Sequence, residues 1–153
     1  MATLADLKGS GDSGKHRVSF VNAGDYHDAE IIGEPFKRQQ QGPNPKTKRW
    51  EGKNMVKLEG ETKYKMLLDS ELPADGVENS FQIKDIVIPV RLLANGVETE
   101  FVYGSQWDQD SLFDAIALAG GSILPGYGIR KTFLRLDGKK KIYNTQLAVP
   151  DAE

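Results

Sequence analysis

Two runs of cations carry the side chains best suited to chemistry in this chain, and the chemistry they suit is electrostatic capture of a polyanion. Residues 37–65 hold Lys37, Arg38, Lys46, Lys48, Arg49, Lys53, Lys57, Lys63 and Lys65 against Glu51, Glu59 and Glu61, a balance of +6. Trp50 stands among them. Residues 130–141 hold Arg130, Lys131, Arg135, Lys139, Lys140 and Lys141 against Asp137, a balance of +5. The segment between, 69–114, has ten acids and only Lys84 and Arg91, so the net charge of −2 conceals a polarised molecule. Lys and Arg follow a phosphate backbone and an exposed aromatic stacks on any base, so the pattern points to single-stranded nucleic acid. The expected contacts are Lys37, Arg38, Lys46, Lys48, Arg49, Lys53, Lys63 and Lys65 on one side and Arg130, Lys131, Lys139, Lys140 and Lys141 on the other, with Trp50 as the stacking face.

Other chemistries find less support. Gly9-Ser10-Gly11-Asp12-Ser13-Gly14 fits the letters of a dinucleotide fingerprint, and Gly9–Lys15 begins a phosphate-loop pattern. Such a loop must follow a strand and open a helix, and His16 stands where the magnesium-binding hydroxyl belongs. His16 and His27 are the only histidines and no cysteine exists, so no zinc set can be assembled and neither metal nor cofactor is expected. The pairs Asp108/Asp110 and Glu98/Glu100 read as helix capping and a solvated strand face. No nucleophile, base and orienting acid come together, and an enzyme is not expected. The absence of cysteine also fits a reducing cytoplasm.

These side chains need elements to position them. Strand-like runs occur at 26–36, 62–69, 81–93, 97–104, 128–136 and 142–149. Asn95-Gly96 and Asp137-Gly138 readily take the positive φ of tight hairpin turns, which pairs the third run with the fourth and the fifth with the sixth. Leu112, Ala115, Ile116 and Ala119 recur at helical spacing, with Asp108 or Asp110 as the expected cap and Gly120-Gly121 as the end. In 62–69, Tyr64, Met66 and Leu68 share a face; with Met66 and Leu68 in the core, Tyr64 is expected buried and Lys63 and Lys65 at the ligand. Phe101 and Tyr103 are expected in the core, and Trp107 beside the helix start. Residues 37–54 lack periodicity and read as a long mobile loop. At 153 residues the chain suits one domain, here 20–149, with a flexible leader over 1–19 and a short tail over 150–153. The expected fold is all-β, a five-stranded OB-type barrel with one short helix before the final hairpin and an additional strand or hairpin. In that fold the long loop and the last hairpin tip flank one binding face.

With that order in view, the chain resembles the bacteriophage OB-fold single-stranded DNA-binding (SSB-like) proteins. The resemblance rests on Ile31-Ile32-Gly33-Glu34-Pro35-Phe36, the Pro- and Lys-rich stretch with Trp50, Gly60 to Lys63, and Met66-Leu67-Leu68-Asp69. It continues through Tyr103-Gly104, Asp114-Ala115, Ala119-Gly120, Gly126, Gly128-Ile129 and Tyr143-Asn144-Thr145. Glu59, Glu61 and the extra run at 81–93 depart from it. The resemblance implies sequence-independent binding and protection of single-stranded DNA during phage replication or recombination, in the host cytoplasm, beside replication or recombination proteins. Single-stranded RNA suits the same cations, because discrimination through the 2′-hydroxyl is a matter of geometry. Exposed edge strands would allow a homodimer. The alternative is a structural or adaptor protein whose acidic segment 69–114 contacts a basic protein surface. No apolar run approaches the roughly 20 residues of a membrane helix, and no membrane partner is expected.

Overall fold

The computed structural model describes residues 18–150. The Gly9–Lys15 run, His16 and the rest of the expected leader through residue 17 lie outside the described residues, as do Asp151 to Glu153. The described chain is mostly antiparallel β-structure with one helix, as the alternating runs and turn residues predict. It divides into two compact units: Lys37–Asp85 forms one, and the described parts of Met1–Phe36 and Ile86–Glu153 form the other.

The larger unit is built on five strands of a six-stranded sheet, one of which, Lys84–Leu92, begins with two residues of the smaller unit. Strands β1 (Tyr26–Ile31), β7 (Lys84–Leu92), β8 (Glu98–Tyr103), β9 (Gly128–Asp137) and β10 (Lys140–Ala148) lie in the order β10-β9-β1-β7-β8, every pair antiparallel. Both expected hairpins are present. Gly96 (φ 71°) and Gly138 (φ 64°) take the left-handed backbone that lets β7 return as β8 and β9 as β10. Among the described residues no pairing joins β8 to β10, so the sheet stays open. Ala29, Ile31, Ile88, Val90, Phe101, Tyr103 and Ile129 alternate onto one face of it, as expected for Phe101 and Tyr103. Leu112 packs on that face from helix α1 (Gln106–Leu118).

The helix ends where Gly120 turns left-handed (φ 104°) and Gly121 N–H reaches Ile116 O at 2.9 Å. Its start corrects the sequence expectation. Ser105 is the cap, its hydroxyl accepting from Asp108 N–H at 3.1 Å, while Asp108 is buried one turn in. Trp107 is exposed.

The smaller unit overturns the expectation of a mobile loop over 37–54. That stretch carries β2 (Phe36–Gln39), β3 (Gln41–Pro43) and the start of β4 (Trp50–Leu58). Strand β4 is the centre of the unit: it pairs with β3, with β5 (Lys65–Leu68) and with β6 (Val77–Gln82), all antiparallel. Further backbone bonds run from Lys53 N–H to Gln40 O (2.8 Å), Gln40 N–H to Ile83 O (2.7 Å) and Ile83 N–H to Lys53 O (3.0 Å). Residue 83 interrupts the run expected over 81–93, splitting it into β6 and β7. At position 52 a Cβ would meet the end of the Gln39 side chain, which could swing aside only by giving up its bonds to Lys53 O and Asn54 Oδ1.

Candidate nucleic-acid interface

The cations of 46–49 sit on the tip of the β3–β4 hairpin, and polar side chains hold that tip in shape. Asn44 is buried; its Oδ1 accepts from the N–H groups of Lys46 (2.9 Å) and Thr47 (3.3 Å), folding the chain into a side-chain-closed turn. Its Nδ2 donates to Glu51 Oε2 at 2.8 Å and to Ser70 Oγ at 3.1 Å. Glu51 Oε1 accepts from Ser70 N–H at 2.7 Å, tying the hairpin to the 3₁₀ turn Asp69–Glu71 that follows β5. Asp69 is tied in the same way, by Asn54 Nδ2 at 2.8 Å and Gly52 N–H at 3.2 Å. The two acids nearest the tip therefore serve as hydrogen-bond acceptors for the scaffold. Lys46, Lys48 and Arg49 are exposed, and no described carboxylate pairs with them. Trp50, at 66% exposure, stands beside them. Lys48 has a left-handed backbone (φ 64°), a conformation that ordinarily falls to Gly or Asn.

Hydrogen bonds from Ser70 to Glu51, and from Asn54 to Asp69, hold both carboxyls below the usual carboxylate range. A folded-state value below the unfolded one contributes stability above the unfolded value and loses it as pH falls through the folded value. Acid below about pH 4 should therefore loosen the tip. Trp50 fluorescence in a Trp107→Phe background should change there, and Glu51→Gln should remove part of that change. A signal flat to the onset of global unfolding would count against the staple.

The register of β4 sorts the remaining residues by face. Met55 lies opposite Met66 on β5 and Phe81 on β6, so these three share a side. Tyr64 joins them at the edge, its ring 5.7 Å from Phe81 and its hydroxyl accepting from Asn79 Nδ2 at 2.6 Å. This side is open, with Tyr64 40%, Met66 47% and Phe81 53% exposed. The buried side is the other one, where Asn54 and Val56 lie, and Lys65 pairs with Val56 there. That corrects the expectation of a buried Tyr64 and Met66: only Leu68, at 4% exposure, is buried on their side. Lys63 and Lys65 are exposed at the end of β4 away from the tip, about 20 Å along the strand at ~3.3 Å per residue. Lys37 is exposed, as is Arg38, which has a partner of its own. Lys53 is half-buried with its aliphatic chain over Gly42, and Lys57 is held by Glu78 at 2.8 Å. Phe81 is an aromatic that sequence reasoning placed at the start of the strand-like run 81–93, without assigning it to the binding face. Its neighbours Glu78, Asn79, Ser80 and Gln82 were the signal of an exposed, polar β6.

In the larger unit half of the second basic run, Arg130, Lys131 and Lys141, is committed to internal contacts, while Arg135 is exposed. Arg130 makes a two-pronged pair with Asp28 (2.6 and 2.9 Å) and stacks over Tyr26. Lys131 is 5% exposed: its Nζ donates to Val102 O at 2.8 Å, lies 3.6 Å from Asp108 Oδ2, and sits 4.3 and 4.4 Å from the Tyr103 and Tyr143 ring centres. Burial pushes the Asp108 carboxyl up, with Lys131 opposing, and pushes the phenols of Tyr103 and Tyr143 up as well. Lys131 thus has no surface on which to meet a phosphate, which removes it from the expected contact set. Lys141 donates to Phe20 O at 2.6 Å. Lys139 and Lys140 are exposed at the β9–β10 turn.

The chain matches no family model, no curated protein and no solved structure.

Proposed function

We propose that the protein binds single-stranded DNA without regard to sequence, and that the smaller unit carries the contact. The observation that supports this most directly is the ordered hairpin tip: three exposed cations without described acidic partners beside an exposed tryptophan, on a turn whose own acids are occupied. Phosphates would be held by Lys46, Lys48 and Arg49, with Lys37, Lys53, Lys63 and Lys65 further along. Bases would stack on Trp50, and the Tyr64–Phe81 side offers a second π-surface. Each stacked base contributes roughly 1–3 kcal/mol whatever its identity, which is why sequence preference is weak. The role is to coat strands opened during replication or recombination, as the resemblance to phage single-strand binders implies. In this reading the larger unit is an opened variant of the OB-type barrel, with 37–85 inserted in sequence between Phe36 and Ile86.

The left-handed Lys48 adds support. A lysine there costs about 1–2 kcal/mol relative to a backbone free to choose, and a strained residue at a candidate site points to a role for its side chain. Lys48→Gly should therefore raise thermal stability while weakening oligonucleotide binding, two effects of opposite sign that a solubilising lysine would not produce.

Fluorescence anisotropy of a labelled single-stranded oligonucleotide at low and high salt, with duplex of the same sequence as competitor, tests the reading. Tight binding that salt weakens and duplex fails to displace is expected. Trp50→Ala should weaken it about 5- to 150-fold at every salt concentration, because stacking releases no counterions. Absence of binding at low salt would overturn the proposal.

A further inference from the structure

The larger unit has its own charge separation. No Lys or Arg occurs between Arg91 and Arg130, a stretch that includes all of α1. At about 100° per residue, the buried Asp108, Leu112 and Ala115 gather on one side of α1. Trp107, Asp110, Asp114 and Leu118 gather on the other, with Trp107 62% and Leu118 91% exposed. A helix of 13 residues with an aromatic, a leucine and two acids on its outer side leaves apolar area uncovered. The β9–β10 hairpin end has the complementary character: Leu134 (47%) and Leu136 (59%) are exposed along the same short stretch as Arg135, Lys139 and Lys140, with Asp137 as its one acid.

We propose that the outer side of α1 docks on the β9–β10 hairpin end of a second copy of this chain. The helix packs on β8 and β10 through its buried side, which leaves Trp107, Asp110, Asp114 and Leu118 uncovered. The contact is head-to-tail: each copy offers one helix and one hairpin end, and neither patch meets its own kind. Such contacts propagate into open chains or close into rings. Both patches are small beside the roughly 1,200–2,000 Å² of a stable interface, so association should be weak, dependent on concentration and sensitive to salt. The interaction is independent of the nucleic-acid reading, and should that reading hold, copies aligned on one strand would meet at high effective concentration and bind cooperatively.

Sedimentation velocity of the full chain without nucleic acid, over a concentration series at low and high salt, tests it. Self-association that strengthens with concentration and weakens with salt is expected. Lys139→Glu/Lys140→Glu reverses the hairpin, and Asp110→Lys/Asp114→Lys reverses the helix; each alone should weaken association on the order of tenfold or more, because like charges now face each other. Mixed in equal amounts, the two variants should recover it, since the intact helix of one meets the intact hairpin of the other. All four side chains are exposed, and unchanged far-UV circular dichroism would show that folding is kept. A chain that stays monomeric at every concentration, or variants that associate as the parent does, would overturn the proposal. Loss of oligonucleotide binding with self-association intact would overturn only the nucleic-acid reading.

Discussion

Lys131→Met is expected to cost about 3 kcal/mol of folding stability, near the low end of what breaking a buried ion pair costs, and to lower the melting temperature by roughly 10 °C. The lysine lies among Tyr103, Tyr143 and Asp108, and its removal takes the one described cation beside Asp108 Oδ2. Asp108 Oδ1 is already buried without a hydrogen-bond partner among the described residues. The low end of the range applies because Asp108 lies in the first turn of α1, where the helix dipole favours a carboxylate.

Two further results separate this account from simple loss of packing. Burial raises the Asp108 carboxyl and Lys131 opposes the rise, so without Lys131 it climbs further. A carboxyl raised on folding withdraws stability as pH increases from its ordinary value through the raised one. The gap between variant and parent should therefore widen from about pH 4 toward neutrality, and urea denaturation at both ends would measure it. The shifts at Glu51 and Asp69 are common to both proteins and cancel. Lys131→Met combined with Asp108→Leu should recover most of the loss, since replacing both members of a buried pair by apolar residues is often neutral or stabilising. A double variant as unstable as the sum of the singles would refute the pairing.

The same residue shows where sequence reading stops. Lys131 stands in a run of cations, and its place between Ile129 and Phe133 on one face of β9 was the signal that it turns inward; that Tyr103, Asp108 and Tyr143 would receive its ammonium there is set by pairing far along the chain. The two hairpins and the helix end were legible because their causes are local: Asn95-Gly96, Asp137-Gly138 and Gly120 each supply the backbone freedom their own turn needs. The core positions Phe101 and Tyr103 were legible from alternation. Residues 37–54 were not, since hydrophobic period does not build those strands. Asn44, Glu51, Asn54 and Asp69 build them, exchanging hydrogen bonds between segments far apart in sequence. A polar interior of that kind has no periodic signature, and its residues read as loop. Exposure of Tyr64 was lost for a related reason: which side of a strand is buried depends on what covers it.

Lys46→Ala/Lys48→Ala/Arg49→Ala should lower single-strand affinity about 100-fold near 0.1 M salt, and the figure follows from counterion release alone. Each neutralised phosphate contributes about −0.7 to the slope of log K against log salt on single strands. Three lost contacts flatten the slope by about 2, and at 0.1 M the same loss amounts to about two decades of K. The three side chains are exposed and pair with no described acid, so the fold should tolerate their removal; Ala at position 48 keeps the left-handed strain that lysine already bears. Trp50→Ala supplies the contrast, with weaker binding at unchanged slope, because the ring carries no charge. Near-zero coupling between the two sets of substitutions would be expected if phosphate and base contacts act separately on one strand. A triple variant that binds with the parent's slope would show that the tip lysines never meet phosphate, and Lys139, Lys140 and the outer cations Lys37, Lys63 and Lys65 would then be the ones to substitute.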